Sequence, residues 1–372
     1  MEKFDAIIIG AGIAGLCSAV TALNFGMKTA IIEKENFLGG ISQDCFHSHI
    51  CGLFKNDFST PFQIANPGIC SEIYQYLYEC YGDQCLVTMG KVEIIAFLQN
   101  DLWNYFSNIF NKKDLIFLKN TKCVQIKSNK KKVESITILN ESRKTDLCAQ
   151  FYFDATGCSE PFNHSANKPS QLFGYCMLFQ GVLENDLSII IPYTARKIVS
   201  DHRINDYLKF ITITHHPLSD KHILKFSVKN SDDIENCHFI YDKLKDKIKD
   251  FAKLELIKTS KNIHSRSCSY KEKNKTNKKP EDSVIKTYWP MEKWDQTHGT
   301  SYEYPENNQY FPIPISAFKD TKFSNLFLAG KSINVSESIQ ASSRVMGICM
   351  ATGEQAVIIA ANHSNTKYNK RL

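Results

Sequence analysis

A turn near the N-terminus constrains the fold of this chain more than any other feature. An apolar run at residues 6–9 enters residues 10–15, which read G-x-G-x-x-G, and a helical pattern follows. A second apolar run at residues 29–32 ends in the acid Glu33. In such a unit the glycines allow a tight turn, a close approach of phosphate to the backbone and close packing of helix on strand, while the acid accepts from ribose hydroxyls. The spacing therefore predicts an adenine-dinucleotide site.

The turn alone does not choose between NAD and FAD, because both cofactors share the dinucleotide signal. The start of the following helix is expected to face the phosphates, since backbone N–H groups there have no partner within the helix. The residues that we expect to contact the cofactor here are Gly10, Gly12, Ile13, Ala14, Gly15, Glu33 and Lys34.

Composition limits the class of the protein and of its partners. The chain has 372 residues, enough for two or three domains, with 43% hydrophobic residues and a net charge of +6. The densest basic segment, residues 271–279, has no interleaved aromatic residue, which favours a solvated loop over nucleic-acid binding. No stretch approaches the roughly 20 apolar residues of a membrane span. The 13 cysteines form no C-x-x-C pair, and the first strand leaves no room for a signal peptide, so we expect a reduced, cytoplasmic protein.

The order of elements predicts an α/β fold that is interrupted by a different domain. Residues 4–35 form a βαβ unit, and residues 159–315 alternate polar and apolar residues, which is typical of a mostly antiparallel β domain. The other predicted elements are a helix at 93–110, strands at 116–118, 123–127, 133–139 and 150–154 with a hairpin turn at 128–132, a helix near 239–256, a strand at 325–329, and a helix capped by Ser342 or Ser343 that runs to about residue 361. The predicted segments are a nucleotide-binding part at 1–158, a substrate domain at 159–315, and a returning nucleotide-binding part at 316–372.

Nucleotide-binding elements at both ends of the chain favour FAD, because a returning C-terminal strand and helix is the arrangement of FAD-binding folds. Four stretches then carry a family resemblance: the fingerprint through Glu33, the segment at residues 37–40, the Phe-Asp-Ala-Thr-Gly segment at 153–157, and residues 325–354, with their Ala-Gly turn and Arg-Val-Met-Gly segment. In these stretches the chain resembles the FAD-dependent oxidoreductase family, whose FAD domain belongs to the glutathione-reductase structural class. The resemblance implies a Rossmann-like FAD-binding domain with an inserted, mostly antiparallel β substrate domain.

The resemblance also implies further residues at FAD. It places the Arg-Val-Met-Gly segment at the start of the last helix, where the helix dipole would stabilise negative charge on the flavin. Arg344 would add a full charge there or clamp a carboxylate of the substrate, and a salt bridge to the middle domain is its structural alternative. The further residues implied to bind FAD are Gly39, Gly40, Ala155, Thr156, Gly157, Gly330, Arg344, Val345, Met346 and Gly347.

Residues 41–52 are dense in reactive side chains and, by the resemblance, pass beside FAD. His47 or His49 is the candidate catalytic base, because an unperturbed histidine has a pKa of about 6.5. Other interpretations stay open: a redox disulfide between Cys45 and Cys51, covalent attachment of the flavin, a metal site of His47, His49 and Cys51, or simple packing of the histidines. No metal is expected, since a flavin site already explains the cluster.

A loop in the middle domain supplies further candidates. Glu292 and His298 flank Trp294 in the sequence, and Tyr302 and Tyr304 follow. Aromatic walls suit a planar or apolar substrate, which Glu292 would orient. Packing of these residues in a strand and loop is the alternative.

Together these residues predict an FAD-dependent oxidoreductase that oxidises a small organic substrate by hydride transfer to flavin N5. The sequence has no second G-x-G-x-x-G, so we expect no dedicated NAD(P)H domain, and the substrate or an external reductase would supply the electrons. One alternative is a flavin-dependent monooxygenase or halogenase, although the Gly-Asp-proline and W-x-W-x-I-P patterns of those enzymes are missing. The other is a non-catalytic flavoprotein, against which the polar segment at 43–51 weighs.

Overall fold

A computed structural model of the protein describes residues 2–56, 60–112, 115–157, 162, 171–266, 282–306 and 309–363. Its strands are β1 (Glu2–Ile9), β2 (Thr29–Ile32), β3 (His49–Ile50), β4 (Leu86–Met89), β5 (Val92–Ala96), β6 (Leu115–Leu118), β7 (Thr121–Asn129), β8 (Lys132–Asn140), β9 (Arg143–Asp154), β10 (Phe173–Gln180), β11 (Ile211–His215), β12 (Lys221–Val228), β13 (Glu255–Thr259), β14 (Ser283–Thr287), β15 (Met291–Asp295), β16 (Gly299–Glu303), β17 (Phe311–Pro314) and β18 (Leu326–Leu328). Its α-helices are α1 (Ile13–Asn24), α2 (Ile41–Asp44), α3 (Ile69–Tyr81), α4 (Gln99–Lys112), α5 (Ile190–Asp201), α6 (Asp233–Lys247), α7 (Lys249–Ala252), α8 (Glu337–Ser343) and α9 (Met346–His363).

The larger sheet is built around β1. Parallel pairing gives the order β6-β2-β1-β9-β18, in which Ile8 of β1 lies opposite Ile31 on one side and Phe153 on the other. All residues of β2 are buried. Parallel strands that are covered on both faces consist of continuous apolar runs, which is why the sequence predicts these strands well. Their carboxyl ends meet at one edge, where such sheets bind ligands.

Strand β9 takes part in two kinds of pairing. Its first half pairs antiparallel with β8, which forms a hairpin with β7. Its second half pairs parallel with β1 and β18, and Phe327 lies opposite Phe153. The hairpin turn predicted at residues 128–132 is confirmed, since Asn129 pairs with Lys132.

Helices α1 and α9 are in direct backbone contact. A Cβ added at Gly353 of α9 would lie 2.2 Å from the carbonyl oxygen of Ala14 in α1. The hydroxyl of Ser18 also donates to the Gly353 carbonyl at 2.9 Å. Gly330, which follows β18, lies equally close, with 2.8 Å from its would-be Cβ to that of Ala14. The absence of side chains at both glycines lets the C-terminal part close onto the first βα unit.

A second sheet in the middle of the chain is antiparallel, as predicted, with the order β11-β12-β10-β13. Helices α5 and α6 pack against it around a second core, which is formed by residues between Leu172 and Leu254. Helix α5 was not predicted, and the predicted helix near residues 239–256 is α6 followed by α7. The predicted domain boundaries at residues 159 and 315 stay a prediction. Ile285 and Ile313 lie between these boundaries but pack in the larger core, with residues of β1, α1 and α9.

The first part of one predicted helix is a strand. The apolar spacing predicted a helix over residues 93–110, but residues 93–96 belong to β5 and α4 begins only at Gln99. All of β5 is buried and pairs with β3 and β4. Pairing and burial on both faces therefore override a helical spacing that holds only for the later residues.

The predicted cap of the last helix is wrong. Ser342 and Ser343 lie in α8, whose own cap is Ser336, and the Ser336 hydroxyl accepts from the Ile339 N–H. The last helix, α9, begins at Met346. Among the described residues no single helix is long and apolar enough to cross a membrane; α8 and α9 pass that test of length and composition only together, with a bend of 104° between them.

Candidate cofactor and substrate site

The turn between β1 and α1 has one glycine that faces open space. A Cβ added at Gly12 would meet no atom within 4 Å. A Cβ at Gly10 would lie 2.6 Å from the Ala155 carbonyl oxygen, and one at Gly15 only 1.9 Å from the Gly10 carbonyl oxygen. Gly10 and Gly15 are therefore required by the fold itself. Gly12, the N-cap of α1, supplies no side-chain cap and leaves room for a ligand near the N–H groups of Ile13 and the rest of the first turn.

Glu33 and the pair Gly39-Gly40 lie against the same turn. The Glu33 carboxylate accepts from the Ala11 N–H at 2.6 Å, which holds the acid at the end of β2. The Gly39 N–H donates to the Ala11 carbonyl at 2.9 Å, and a Cβ at Gly40 would lie 3.2 Å from the Cα of Gly12. We call residues 10–15, 33, 39 and 40 the cradle. It combines an uncapped helix start, an open backbone surface and a fixed acid, which is what a dinucleotide requires.

The segment after β9 lies beside the cradle and is held by hydrogen bonds. Asp154 accepts from the N–H and hydroxyl of Thr156, at 3.0 and 2.7 Å, and from the Ser332 hydroxyl at 3.0 Å. The same Ser332 oxygen accepts from the Gly157 N–H at 3.1 Å. Burial raises the pKa of Asp154 to about 6. These contacts fix Ala155 to Gly157 between the ends of β9 and β18.

The start of α9 packs on the segment that follows β3. The Gly347 N–H donates to the Cys51 carbonyl at 2.9 Å. A Cβ at Gly52 would lie 2.5 Å from a methyl carbon of Val345, and Met346 is buried. The Arg-Val-Met-Gly segment thus leads into the last helix, as predicted. The Gly347 N–H already donates to a carbonyl of the protein. That the Arg-Val-Met-Gly segment contacts FAD stays a prediction.

Arg344 ties the helical segment to the middle of the chain. Its guanidinium donates to the carbonyl oxygens of Arg266 and Glu292, each at 2.7 Å, and to the side-chain oxygen of Gln171 at 2.9 Å. Burial lowers the pKa of Arg344 from its ordinary value. Among the described residues Arg344 forms no salt bridge. It contacts the middle of the chain through hydrogen bonds to neutral oxygens.

Both predicted bases are half-buried histidines in their neutral form. Burial, with the charge of Lys225 as the next cause, lowers the pKa of His47 to about 3, whereas burial and His216 lower that of His49 to about 4. Nδ1 of His49 lies 2.9 Å from the Ser48 hydroxyl oxygen. The imidazole of His47 has no hydrogen-bond partner within the described parts of the chain. A neutral imidazole with an unengaged nitrogen can accept a proton, but a pKa of about 3 makes His47 a weak base unless a negative charge binds near it.

Cys45 and Cys51, the cysteines near these histidines, form no disulfide with each other. The thiols of Cys45, which follows α2, and Cys176 of β10 hydrogen-bond to each other, and the bond raises the pKa of Cys45 and lowers that of Cys176. Burial raises the pKa of Cys51 to about 12. These contacts argue against a disulfide between Cys45 and Cys51. Over the described ranges, no three His, Cys, Asp or Glu side chains are grouped so as to hold a metal ion.

The loop candidates of the middle domain separate into inner and outer residues. Trp294 is only 4% exposed, and its Nε1 donates to Glu292 at 2.6 Å. The His298 side chain is 82% exposed, in the turn between β15 and β16. Tyr302 and Tyr304 are also exposed. Glu292 and Trp294 therefore reach the interior, while His298 does not; Lys34, predicted to bind the cofactor, is exposed as well.

Several polar side chains that the sequence did not single out lie in the same interior. Lys225 and Arg266 stand over the Trp294 ring, with 5.2 and 4.4 Å to its centroid. His264 bonds to Asp44 at 2.6 Å, which holds the pKa of Asp44 below its usual value against the opposing effect of burial. The one sequence signal was Lys225, a cation with the apolar residues Leu224 and Phe226 on either side of it. The other residues come together only through the fold.

A cavity of about 960 Å³ lies elsewhere, at the amino end of β18. Lys131, Glu134, Asn325 and His363 are among its lining residues, and none of the predicted site residues lines it. We assign it no part in the candidate site.

Comparisons with known proteins agree with a flavin-binding fold. The family model described as FAD dependent oxidoreductase matches residues 5–160 and 197–370. No curated protein matches the sequence significantly. Among solved structures, a geranylgeranyl bacteriochlorophyll reductase-like protein from Thermoplasma acidophilum is similar at 13% identity and a TM-score of 0.53, over 100% of this chain and 81% of that one.

Two further structures share this architecture. The flavin-dependent brominase Bmp2 is similar at 13% identity and a TM-score of 0.52, over 100% of this chain and 82% of that one. The anhydrotetracycline hydroxylase OxyS from Streptomyces rimosus is similar at 9% identity and a TM-score of 0.50, over 100% and 66%. At such identities the likeness concerns the fold alone.

Proposed function

This chain belongs to the FAD-dependent oxidoreductase family, and we propose that it oxidises a small organic substrate with FAD as the hydride acceptor. FAD is the cofactor of the fold that the family match spans. When bound, it supplies a flavin that takes up a hydride equivalent at N5. The side chains of the protein then have to bind the cofactor, position the substrate and accept its proton.

The cradle supports the cofactor part of this proposal. Open space at Gly12 lies beside the uncapped start of α1, where N–H groups and the helix dipole favour a pyrophosphate. Glu33, held by the Ala11 N–H, suits the ribose hydroxyls. Gly39 and Gly40 close on Gly12 through backbone alone, which keeps this surface open to the cofactor.

The neutral, unpartnered imidazole of His47 is the observation that carries the catalytic part. A substrate that loses a hydride from carbon must also lose a proton from its hydroxyl or amine, and in our proposal His47 accepts that proton. His49 is the second candidate. In the tautomer whose Nδ1–H donates to the Ser48 hydroxyl oxygen, Nε2 carries the lone pair that would accept the proton.

Anaerobic mixing of the holoprotein with small alcohols, amines and hydroxy acids tests the function. We expect at least one class of donor to bleach the flavin. His47→Gln should keep its FAD but slow the bleaching at least about 100-fold, since a positioned base contributes roughly 10²–10⁴. His298→Gln is the matched control, because that histidine is on the surface; its rate should equal that of the wild type.

Wild-type bleaching rates in both His47→Gln and His49→Gln would reject the proposed base. The rival function, a monooxygenase or halogenase fed by a separate reductase, predicts that no donor bleaches the flavin. It predicts instead that ¹⁸O from oxygen enters a product, or that a halide is transferred, once reduced flavin is supplied. A non-catalytic flavoprotein predicts neither result.

A further inference from the structure

Two cations of the middle domain share one aromatic ring and flank one glycine. Arg266 and Lys225 both stand over the ring of Trp294. A Cβ added at Gly174 of β10 would lie 3.2 Å from Nη2 of Arg266 and 4.0 Å from Cε of Lys225. We call Gly174, Lys225, Arg266 and Trp294 the cation pocket. Because Gly174 has no side chain, the side chains of Arg266 and Lys225 can both approach its Cα.

Arg266 carries a donor that no other described residue uses. The residue is 7% exposed, and its Nη1 donates to the Leu172 carbonyl at 2.6 Å. Its Nη2 is fully enclosed and has no hydrogen-bond partner among the described residues. An enclosed donor without a partner costs about 1–3 kcal/mol, and more on a charged group. A ligand oxygen at Nη2 would remove this cost.

The acids nearby are engaged elsewhere. Glu292 accepts from the indole N–H of Trp294. Its charge acts on Arg266, but within the described residues it forms no ion pair with Arg266 or Lys225. Asp44 is bonded to His264. Arg344 adds a third positive charge, although its donors reach carbonyl oxygens and an amide. Within the described residues the positive charges of this interior therefore exceed the negative ones.

The cation pocket also lies close to the proposed base. The charges of Lys225 and Arg266 both act on the imidazole of His47 and favour its neutral form. The neighbouring thiol of Cys176 is hydrogen-bonded to Cys45, so it does not pair with the cations. An anion in the pocket would bind beside His47 and strengthen it as a base, because the added negative charge favours the protonated imidazole.

We propose that the cation pocket binds a carboxylate of the substrate, which makes the substrate a small carboxylic acid. Nη2 of Arg266 and the ammonium of Lys225 each donate to the carboxylate, whose two oxygens match these two donors. The carbon that is oxidised then lies near the carboxylate, on the His47 side. The statement about the oxidised carbon rests on the proposed function, whereas the statement that the pocket binds a carboxylate does not.

Equilibrium titration of the oxidised holoprotein tests the pocket without turnover. The probes are acetate and its neutral analogue acetamide, followed by tryptophan fluorescence and flavin absorbance. We expect acetate to bind and acetamide not to bind. Lys225→Gln and Arg266→Gln should each weaken acetate binding about tenfold or more, as expected for the loss of one charged hydrogen bond.

Lys229→Gln is the matched control, because Lys229 stands over Tyr207 in the same domain, is exposed and lies outside the pocket. It should bind acetate like the wild type. If Arg266→Gln fails to fold because its site is buried, the comparison of Lys225→Gln with Lys229→Gln still decides.

Equal binding of acetate and acetamide, or unchanged acetate binding in Lys225→Gln, overturns the inference. Tighter binding of inorganic phosphate or of bromide than of acetate overturns it in favour of that anion. Specific acetate binding in a protein that no donor reduces would keep the carboxylate site and reject the oxidation. Reduction of the flavin by uncharged donors alone, without acetate binding, would keep the proposed oxidation and reject the carboxylate site.

Discussion

The cradle and the cation pocket differ in how the chain builds them. The cradle uses short stretches within the first 40 residues, and its key feature is a missing side chain at Gly12. The cation pocket combines Gly174 of β10 with side chains from β12, β15 and the segment after β13, which are distant in sequence. The backbone-built region suits a cofactor that related proteins share, whereas the side-chain-built region can change with the substrate. This difference explains why one fold can serve many chemistries.

The largest expected effect separates two glycines of the cradle. Gly15→Val should abolish folding, because its Cβ would meet the Gly10 carbonyl oxygen at 1.9 Å and a backbone oxygen there cannot move aside. Gly12→Val should fold, since its Cβ meets nothing within 4 Å, but should lose FAD because the side chain fills the place of the pyrophosphate. Circular dichroism and the ratio of flavin to protein measure the two outcomes.

A Gly12→Val variant that keeps stoichiometric FAD would show that the cofactor phosphates do not lie at this turn. A well-folded Gly15→Val variant would show that the first turn of α1 shifts freely. Either result would remove the contrast between a glycine needed by the fold and one needed by the ligand.

The cradle was predictable because each part of it is local. The glycine spacing, the apolar runs around it and the acid at residue 33 lie in one βαβ unit, so their geometry follows from a few residues. The return of the chain to this unit was also visible, in the Ala-Gly turn and the segment that begins α9. Glycines 330 and 353 carry that return by letting backbone touch Ala14.

The interior of the site was predicted only in part. His47, Glu292 and Trp294 were named from the sequence, but Arg266 was not, because nothing near it in sequence distinguishes it from other surface-type cations. His298 was named for its closeness to Trp294 in sequence, yet a tight turn between β15 and β16 points it to solvent. Glu292 and Trp294 are two residues apart on β15, so they lie on the same face of the β15–β16 hairpin, whereas His298 lies in its turn. The position within the hairpin, not the distance in sequence, decides which of these residues face inward.

A medium effect is expected at Arg344, which connects the two regions. Arg344→Met removes three hydrogen bonds and leaves the carbonyls of Arg266 and Glu292 without this donor. We expect the free energy of unfolding to fall by about 3 kcal/mol, with FAD retained at saturating concentration. Urea denaturation measures the loss. Arg196→Met, at an exposed arginine of α5, is the control and should stay within about 0.5 kcal/mol of the wild type. Loss of FAD with unchanged stability would instead assign Arg344 to the cofactor, as the family resemblance implies.

The last expected effect appears only at acid pH and concerns the stability of the protein around His47. The pKa of His47 is about 3 in the folded protein, against about 6.5 for a histidine in the unfolded chain. Between these pH values the unfolded state binds the proton more strongly, so the free energy of unfolding falls as the pH falls, by up to about 1.4 kcal/mol per pH unit. Above pH 6.5 both states are neutral at this residue and the effect vanishes.

His47→Gln should therefore lose stability less steeply between pH 6.5 and pH 4 than the wild type does, whereas His298→Gln should follow the wild-type curve. Urea denaturation at successive pH values measures the slopes. If His47→Gln also follows the wild-type curve, the imidazole takes up its proton freely in the folded protein. The cations of the pocket would then not act on it, and the link between the two proposals would be broken even if each site binds its own ligand.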